Sequence, residues 1–296
     1  MELYKIEPCG FCFGVTTAIN KILELRNKTD NNIPIYSLGR LIHNDVEINN
    51  LTKKGITTID NKNKSRLELL NEVPNDGIIA VTAHGASPEL FNQLKINNYK
   101  YIDCTCPKVS LVHKIILKYL NNNYKIIYIG KTNHPESEGT LGLDKNNIIL
   151  VENKNDIDNL QFSNDTKLFS TNQTTLPYDF LEEMYNHLKN KFPNIEINNK
   201  ICTSAKERQL ALDAYKFLDL LLVVGDKGSS NSKSLYLYSQ KLGYNSYFIE
   251  DLHELKDLIK KENIFENIEK IGVASGASTP NYLVDEIYNF ILHYQK

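Results

Sequence analysis

The sequence lacks the features that would mark a membrane, exported or nucleic-acid-binding protein. Its apolar runs, such as the one ending at Val224, are far shorter than the ~20 residues that cross a bilayer. Basic and acidic side chains nearly balance, at 34 and 36, so no broad positive surface for nucleic acid is expected. The first residues, MELYKIEPCGFCFG, lack the basic-then-apolar pattern of an export signal. We therefore expect a cytoplasmic protein that binds neither nucleic acid nor membrane.

Cysteine is scarce and odd in number, which argues against a disulfide framework. There are five cysteines in 296 residues, and a reducing compartment favours thiols that bind metal or act in catalysis. No G-x-G-x-x-G opens a βαβ unit, so the sequence shows no nicotinamide site. The chain has 296 residues, 41% of them hydrophobic, and is therefore long enough to bury a sizeable core.

What the sequence does contain is a set of β-rich runs that recur with a period of roughly 90 to 100 residues. The segments between them have helical periodicity, which favours parallel α/β units. The predicted strands are Pro34–Leu38, Ile56–Asp60, Gly77–Val81, Lys100–Cys104, Lys125–Gly130, Asn147–Val151, Lys167–Thr171, Ile195–Cys202, Leu220–Val224, Ser246–Glu250 and Lys270–Ser275. The third unit lacks a fourth strand, which Glu2–Pro8 can supply.

This pattern predicts an α/β protein made of three similar small domains arranged with pseudo-threefold symmetry. The first domain would cover residues 10–104, the second 105–201 and the third 202–296. Residues 1–9 would complete the third domain with the N-terminal strand. The alternative is one doubly wound domain of about ten strands.

Three cysteines follow the same period as the strands. Cys12, Cys106 and Cys202 are separated by 94 and 96 residues, and each follows the fourth strand of a unit and precedes a helix. After Cys202, Ser204 and Glu207 have the spacing of a capping box. Each sulfur should therefore face a helix N-terminus, which favours the thiolate, the form that binds metal.

Around a pseudo-threefold axis the three thiols would meet at the centre of the molecule. Three distant thiolates suit an iron-sulfur cubane with one open iron, whereas a structural zinc usually takes four ligands. A catalytic zinc on the same thiolates, or three buried apolar cysteines, are the alternatives. Cys9 and Cys104 have no counterpart in the third unit and are interpreted as bystanders, although Cys9 and Cys12 form a C-x-x-C.

Six loops at the predicted strand ends are rich in small polar residues. Ligands of parallel sheets bind beyond the carboxyl ends of strands, and such residues at helix starts can receive an anion without Lys or Arg. One such loop alone is more typical of caps and turns, but six together favour a phosphate-bearing ligand. The loops are 41–44, 82–88, 133–140, 171–175, 228–232 and 275–280.

Histidines divide into two groups by their place in this pattern. His43, His84 and His134 lie in the polar loops, together with Glu136, whose carboxyl could donate a proton if its pKa is raised. The remaining histidines are expected at the surface, in helical or linker segments. They are His113, His187, His253 and His293.

The ordered motifs GFCFGV, IHN, TAHGASP, TCPKV, NHPESEGT, NQTT, GSSNS and GASTP span nearly the whole chain. Together they resemble the IspH/LytB family of 4-hydroxy-3-methylbut-2-enyl diphosphate reductases, from the non-mevalonate isoprenoid pathway. The resemblance implies a central 4Fe-4S cluster held by Cys12, Cys106 and Cys202, with one iron free of protein ligand. Two departures, Ser204-Ala205 and the extra Cys104, leave that assignment in place.

The resemblance also implies the remaining site residues. Glu136, Thr174 and His134 would be catalytic, with Glu136 delivering the proton and Thr174 positioning the substrate hydroxyl. A larger set would bind the diphosphate and the allylic chain. These substrate-binding residues would be His43, His84, His134, Thr174, Ser229, Ser230, Asn231 and Ser278.

The reaction implied by the resemblance is a reductive dehydroxylation that yields isopentenyl and dimethylallyl diphosphate. The allylic hydroxyl would bind the open iron, two single electrons would enter through the cluster, and Glu136 would protonate the departing oxygen. Ferredoxin or flavodoxin would supply the electrons, and the exposed iron implies oxygen sensitivity. Two other classes remain open: a dehydratase like quinolinate synthase, and a non-enzymatic iron-sulfur sensor or scaffold.

Overall fold

Short strands and helices form where the sequence alternates between β-rich and helical patterns. The structure, a computed structural model, describes residues 1–61, 63–198 and 202–294. The strands in these ranges are β1 (Glu2–Lys5), β2 (Ile35–Leu38), β3 (Ile56–Ile59), β4 (Ile78–Val81), β5 (Lys100–Asp103), β6 (Lys125–Ile129), β7 (Ile148–Val151), β8 (Leu168–Asn172), β9 (Glu196–Ile197), β10 (Leu220–Val224), β11 (Ser246–Ile249) and β12 (Lys270–Ser275).

A helix lies between every two successive strands of the described residues, as parallel pairing requires. They are α1 (Phe13–Lys28), α2 (Asp45–Lys53), α3 (Arg66–Leu70), α4 (Pro88–Ile96), α5 (Pro107–Leu120), α6 (Pro135–Leu141), α7 (Lys154–Asp158), α8 (Tyr178–Lys191), α9 (Thr203–Leu212), α10 (Ser230–Lys241), α11 (Leu252–Glu262) and α12 (Asn281–Leu292). A single 3₁₀ turn, Asp213–Tyr215, follows α9. Of the helices described, none combines the length and the apolar character that a membrane span needs.

The described strands form three parallel sheets of one design. The strand order is β3-β2-β4-β5 in the first sheet, β7-β6-β8-β9 in the second and β11-β10-β12-β1 in the third. Glu2 pairs with Lys270 and Lys5 with Val273, so β1 takes the place that β5 and β9 hold in the other sheets. The prediction of three small α/β units with a borrowed strand is confirmed, and the single ten-strand sheet is wrong. The domain boundaries stay a prediction.

Most strand predictions agree with the structure to within one residue at each end. Two differ by more. The first strand ends at Lys5 instead of Pro8, because a proline has no N–H to give to a ladder, although Ile6 still donates its N–H to the Val273 carbonyl at 2.9 Å. The fourth strand of the second unit covers only Glu196–Ile197, and part of the predicted Ile195–Cys202 falls on residues 199–201, outside the described residues.

Each sheet is buried by helices on both faces, and this explains the apolar runs in the sequence. All five residues of β10 are fully or almost fully buried, with apolar clusters on either side of the third sheet. The first and second sheets also lie between two clusters each. Each fully buried Leu, Ile or Val side chain stabilises the fold by about 1.5–3 kcal/mol. These packed layers hold the loops at the strand ends in place.

Candidate active site

One cavity lies where the strand-end loops of all three sheets meet. Each sheet contributes the loops that follow its two central strands. It also contributes the cysteine that follows one of its edge strands, which is β1, β5 or β9. All the predicted site residues line this cavity: Cys12, His43, His84, Cys106, His134, Glu136, Thr174, Cys202, Ser229, Ser230, Asn231 and Ser278. The structure therefore brings together residues that are up to 266 positions apart in the sequence.

Each of the three cavity cysteines occupies the N-cap position of a helix. Cys12 caps α1, Cys106 caps α5 and Cys202 caps α9. Burial raises the pKa values of Cys106 and Cys202, and the backbone N–H groups two and three residues further on act against that shift. The predicted Ser204 capping box is wrong, because α9 begins at Thr203 and Cys202, not Ser204, occupies the N-cap position.

The three sulfurs are close enough to influence one another. A Cβ built on Gly14 would lie 2.3 Å from Cys106 Sγ and 3.9 Å from Cys12 Sγ, so only a residue without a side chain fits between them. Burial raises the pKa of Cys106, and the charges of Cys12 and Cys202 raise it further. Burial also raises the pKa of Cys202, against the backbone hydrogen bonds that lower it. A cationic partner would relieve this repulsion between buried thiolates.

The donor set can be tested against the metal centres that the sequence left open. Among residues 1–61, 63–198 and 202–294, no three His, Cys, Asp or Glu side chains are arranged to hold a metal ion. Three thiolates from three separate units suit a polynuclear iron-sulfur centre, in which each thiolate binds a different iron. Three converging thiolates at helix N-termini are the ligands that such a centre takes.

Glu136 is buried, with 1% of its surface exposed, near the N-terminus of α6. Its carboxylate accepts hydrogen bonds from the backbone N–H of Thr174 at 2.7 Å and from the Thr174 hydroxyl at 2.9 Å. Burial raises the pKa of Glu136 to about 7, although the bonds from Thr174 act against the shift. A carboxyl with this pKa holds a proton over much of the neutral range and can give it up, as a general acid must.

Three histidine rings, one from each of three loops, meet beside this carboxyl. The ring centroids of His43 and His84 are 4.7 Å apart, and that of His134 lies 6.0 Å from His43 and 5.7 Å from His84. Burial first, and neighbouring positive charges second, lower the pKa of His134 to about 3 and that of His84 well below its ordinary value. The two buried rings are therefore neutral at physiological pH.

His134 has one buried ring nitrogen without a hydrogen-bond partner in the part of the chain that the structure describes. Its Nδ1 accepts the backbone N–H of Glu136 at 3.1 Å, so in the neutral ring the proton is on Nε2. That Nε2 is buried, and no group in the described residues bonds to it. An unpaired buried donor costs about 1–3 kcal/mol, which indicates that an acceptor on a ligand completes it.

The third sheet contributes hydroxyl groups at the start of a helix. Ser229 caps α10, and its hydroxyl lies 2.8 Å from the hydroxyl of Ser278 in the loop after β12. Both serines are at most 5% exposed, and Ser230 and Asn231 line the cavity beside them. Hydroxyl groups and free N–H groups at a helix N-terminus are a receptive surface for an anion.

The two remaining cysteines lie away from the cavity lining. Cys104 is fully buried in the apolar core of the first sheet, where burial raises its pKa to about 12. Cys9 Sγ lies 3.2 Å from the hydroxyl of Ser275, and burial raises its pKa too. Neither thiol lines the cavity that Cys12, Cys106 and Cys202 share.

Four histidines outside the polar loops were predicted to lie at the surface, and the structure contradicts that prediction for one of them. His253 and His293 are exposed, and His187 is partly exposed beside Asp158, at 2.7 Å. His113 is instead half-buried between α5 and α6, where its Nε2 lies 3.2 Å from the Thr140 hydroxyl. Burial lowers the pKa of His113 to about 4. The prediction was wrong because helical context alone does not show which face of α5 meets the next helix.

Two buried arginines near the site were missed by the sequence analysis. Arg208 of α9 is 6% exposed and donates to the Gly10 carbonyl at 2.7 Å, and the cavity thiols raise its pKa against the effect of burial. Arg66, the first residue of α3, is 4% exposed and lies between the first and second sheets. An arginine within a helical pattern is typical of a solvated surface, so the sequence carries no signal for either one.

Comparison with known proteins shows which family the chain resembles. The model of the LytB protein family matches residues 3–292. The chain belongs to the LytB family. Two LytB relatives, both named 4-hydroxy-3-methylbut-2-enyl diphosphate reductase, come from Lysinibacillus sphaericus and Macrococcus caseolyticus. The first is 40% identical over 98% of this chain and 88% of the relative, and the second is 38% identical over 99% and 90%.

Two solved structures are similar to this chain in fold as well as in sequence. The E-1-hydroxy-2-methyl-but-2-enyl-4-diphosphate reductase from Plasmodium falciparum superimposes with a TM-score of 0.90 at 36% identity, covering 99% of this chain and 88% of that one. A second structure, of an (E)-4-hydroxy-3-methyl-but-2-enyl diphosphate reductase, matches with a TM-score of 0.69 at 29% identity. It covers 99% of this chain and 100% of that one. The family match therefore includes all three sheets and every loop that lines the cavity.

Proposed function

We propose that this chain is an iron-sulfur oxidoreductase that removes the hydroxyl of (E)-4-hydroxy-3-methylbut-2-enyl diphosphate. The products would be isopentenyl and dimethylallyl diphosphate, the last step of the non-mevalonate pathway. The observation that carries the proposal is the meeting of three helix-capping thiols and a protonatable Glu136 in one cavity. The names of the LytB relatives support the same substrate.

The cofactor that we propose is a 4Fe-4S cluster bound by Cys12, Cys106 and Cys202, with one iron left without a protein ligand. Such a cluster supplies, when bound, single electrons and a Lewis-acidic iron. All three ligands occupy N-cap positions, where the positive end of a helix dipole faces the sulfur. Arg208 adds a buried positive charge close to the same sulfurs.

Gly14→Ala tests how closely the thiols must approach one another. The new Cβ would overlap Cys106 Sγ, at 2.3 Å, so we expect the purified variant to lose most of its iron and acid-labile sulfide. Alanine is the better helix former by about 1 kcal/mol, so helix propensity alone predicts no harm. Asn20→Ala, on the exposed face of the same helix, is the matched control and should keep wild-type iron content. Normal iron in Gly14→Ala would contradict the proposed ligand arrangement.

The diphosphate would be held mainly by neutral hydrogen-bond donors. His134 Nε2 is a buried donor without a protein partner, and Ser229, Ser230, Asn231 and Ser278 line the same cavity. His43 and His84 border it from the first sheet. Neutral donors let the site close around an anion without burying additional unpaired positive charges.

The proton for the departing oxygen would come from the Glu136 carboxyl. Thr174 donates to both carboxylate oxygens, through its N–H and its hydroxyl, and so fixes the plane of the acid. The Thr174 hydroxyl also lines the cavity and would orient the substrate hydroxyl towards that acid. The backbone N–H of Glu136 bonds to His134, which ties the proton donor to the diphosphate-binding ring.

Electrons would come from an external one-electron carrier, ferredoxin or flavodoxin, and the enzyme would work in the cytoplasm. The sequence has no glycine-rich nicotinamide fingerprint, so a separate protein must deliver them one at a time. We expect the anaerobically purified, iron-loaded protein to convert the allylic diphosphate when reduced ferredoxin is present. It should be inert without the reductant, and exposure to air should inactivate it.

The same assay distinguishes the alternative classes. A dehydratase like quinolinate synthase would need no reducing equivalents, and a sensor or scaffold would bind iron and sulfide without turnover. Cluster-loaded protein that leaves the substrate unchanged, with reduced ferredoxin in excess, would refute the proposed function. Iron and sulfide analysis on the same sample shows whether the cofactor was present.

A further inference from the structure

Arg66 uses its guanidinium to connect the first sheet to the second. The side chain is 5% exposed and donates to the backbone carbonyls of Gly85 and Pro135, and its Nε lies 3.4 Å from a carboxylate oxygen of Glu138. The backbone N–H of Arg66 donates to the other oxygen of Glu138 at 3.0 Å. One side chain thus contacts a loop of the first sheet and a helix of the second.

The partners of Arg66 are immediate sequence neighbours of the proposed site residues. Gly85 follows His84 in the loop after β4, and Pro135 lies between His134 and Glu136 at the start of α6. A carbonyl oxygen that is held by a guanidinium fixes the peptide plane between its own residue and the next one, here Pro135–Glu136 and Gly85–Ala86. The start of Glu136 and the loop that carries His84 are therefore held by one shared donor.

The backbones on the two sides of this contact approach each other closely. A Cβ on Gly139 of α6 would lie 3.2 Å from the Cα of Ala86, and a Cβ on Gly142 would lie 2.3 Å from the Cβ of Ser87. A Cβ on Gly85 of the loop would likewise lie 3.4 Å from Cε1 of His113, on α5 of the second unit. Because the helix rests directly on the loop, a small shift of one displaces the other.

We infer that Arg66 is a positioning residue, which sets the place of the proton donor Glu136 relative to His84 by holding α6 against the loop 84–88. The inference rests on the proposed function for its catalytic consequence, but the contact itself does not. The guanidinium also brings a fixed positive charge near His84 and His134, and this charge helps to keep both rings neutral. Loss of Arg66 should therefore loosen α6 and misplace the acid without removing any group that touches the substrate.

Arg66→Gln is the direct test, in the full chain loaded with iron and sulfide. We expect kcat to fall about 10- to 100-fold, the cost of misplacing a catalytic group by roughly an ångström. KM should change by less than about threefold, because the hydroxyl groups of the third sheet still bind the diphosphate. Cluster absorbance should stay at the wild-type level, since no ligand cysteine contacts Arg66.

Amide hydrogen exchange gives a second readout that does not depend on activity. In Arg66→Gln, the amides of residues 136–141 should exchange at least about tenfold faster, while those of α10 keep their wild-type rates. Unchanged exchange at residues 136–141 would overturn the inference whether or not the protein turns over substrate. Wild-type protein that is inert in the assay would count against the proposed function instead.

Arg26 offers a matched control in the same sheet unit. It is 8% exposed and donates to the carbonyls of Thr29, Asp30 and Ile33 at the end of α1, so it is an arginine of similar burial and bonding. Arg26→Gln should lower the melting temperature without changing kcat or the exchange of residues 136–141. An equal fall of kcat in both variants would show that Arg66 acts only through general stability.

Arg66→Lys covers the case in which the glutamine variant does not fold. Lysine keeps a positive charge beside Glu138, but its single ammonium cannot hold the two carbonyls and the carboxylate in the planar geometry of a guanidinium. We expect this variant to fold, to show faster exchange in α6 and to lose kcat with little change in KM. Wild-type kcat and exchange in Arg66→Lys would contradict a role in positioning.

Discussion

Serine in place of Cys12, Cys106 or Cys202 should abolish the visible absorbance of the reconstituted iron-sulfur protein. Each of these sulfurs caps a helix and lines the cavity, and the loss of one leaves a cubane with too few thiolate ligands to persist. The measurement is the absorbance spectrum together with iron and sulfide content after anaerobic reconstitution. Turnover of the allylic diphosphate should fall to background in all three variants.

Cys9→Ser and Cys104→Ser are the matched controls for this experiment. Cys104 is enclosed in the core of the first sheet, and Cys9 contacts Ser275, so neither reaches the cavity. Both variants should keep the wild-type spectrum, although Cys104→Ser buries a hydroxyl in an apolar core and should lower stability by about 1–3 kcal/mol. An equal loss of absorbance in either control would mean that the ligand set is wrong.

Glu136→Gln should reduce turnover by about 10²- to 10⁴-fold while the cluster absorbance is retained. Glutamine has nearly the same shape and still meets Thr174, but it has no acidic proton to give to the departing oxygen. Activity measured beside iron content separates a lost proton donor from a lost cofactor. Glu89→Gln, an exposed carboxylate on α4 that pairs with Lys145, is the control and should leave turnover unchanged. Full activity in Glu136→Gln would refute its role as the acid.

The pH dependence of the wild-type enzyme should report the same carboxyl. Burial raises the pKa of Glu136 to about 7, so below that pH the group is protonated and competent as a general acid. As the pH rises through about 7 the proton is lost, and kcat should decline. The neighbouring titratable groups are His134, neutral over this range, and Tyr128, whose pKa burial raises well above its ordinary value, so neither ionises in the same interval. A profile that is flat through neutral pH would contradict this assignment.

The fold could be predicted from the sequence because each strand has its own local pattern and the same pattern recurs in all three units. Strands buried on both faces are short apolar runs, and the interval between them revealed the three units. Assigning β1 to the third sheet followed from one missing strand, and the pairing of Glu2 with Lys270 confirms it. The residues that line the cavity were found because loops at the carboxyl ends of parallel strands meet at one edge of each sheet.

What the sequence did not reveal depends on contacts between units. Arg66 and Arg208 belong to ordinary helical patterns, and their burial results from how the three sheets pack together. Ser204 has the spacing of a capping residue, yet α9 begins at Thr203 with Cys202 in the N-cap position. His113 was misplaced for the same reason as the arginines, since α6 covers the face of α5 on which it lies. Periodicity describes one element at a time and carries no information about which neighbour covers it.

The pairing of β1 with β12 also constrains how the protein can be made. During translation the first and second sheets are finished long before residue 270 leaves the ribosome, so β1 waits without a neighbour in its own sheet. Pairing over such a sequence separation is slow and leaves a strand edge open to wrong partners. Because Cys12 lies between β1 and α1, its sulfur reaches its final place only after this late step. The three cavity cysteines therefore come together only after all three sheets have assembled.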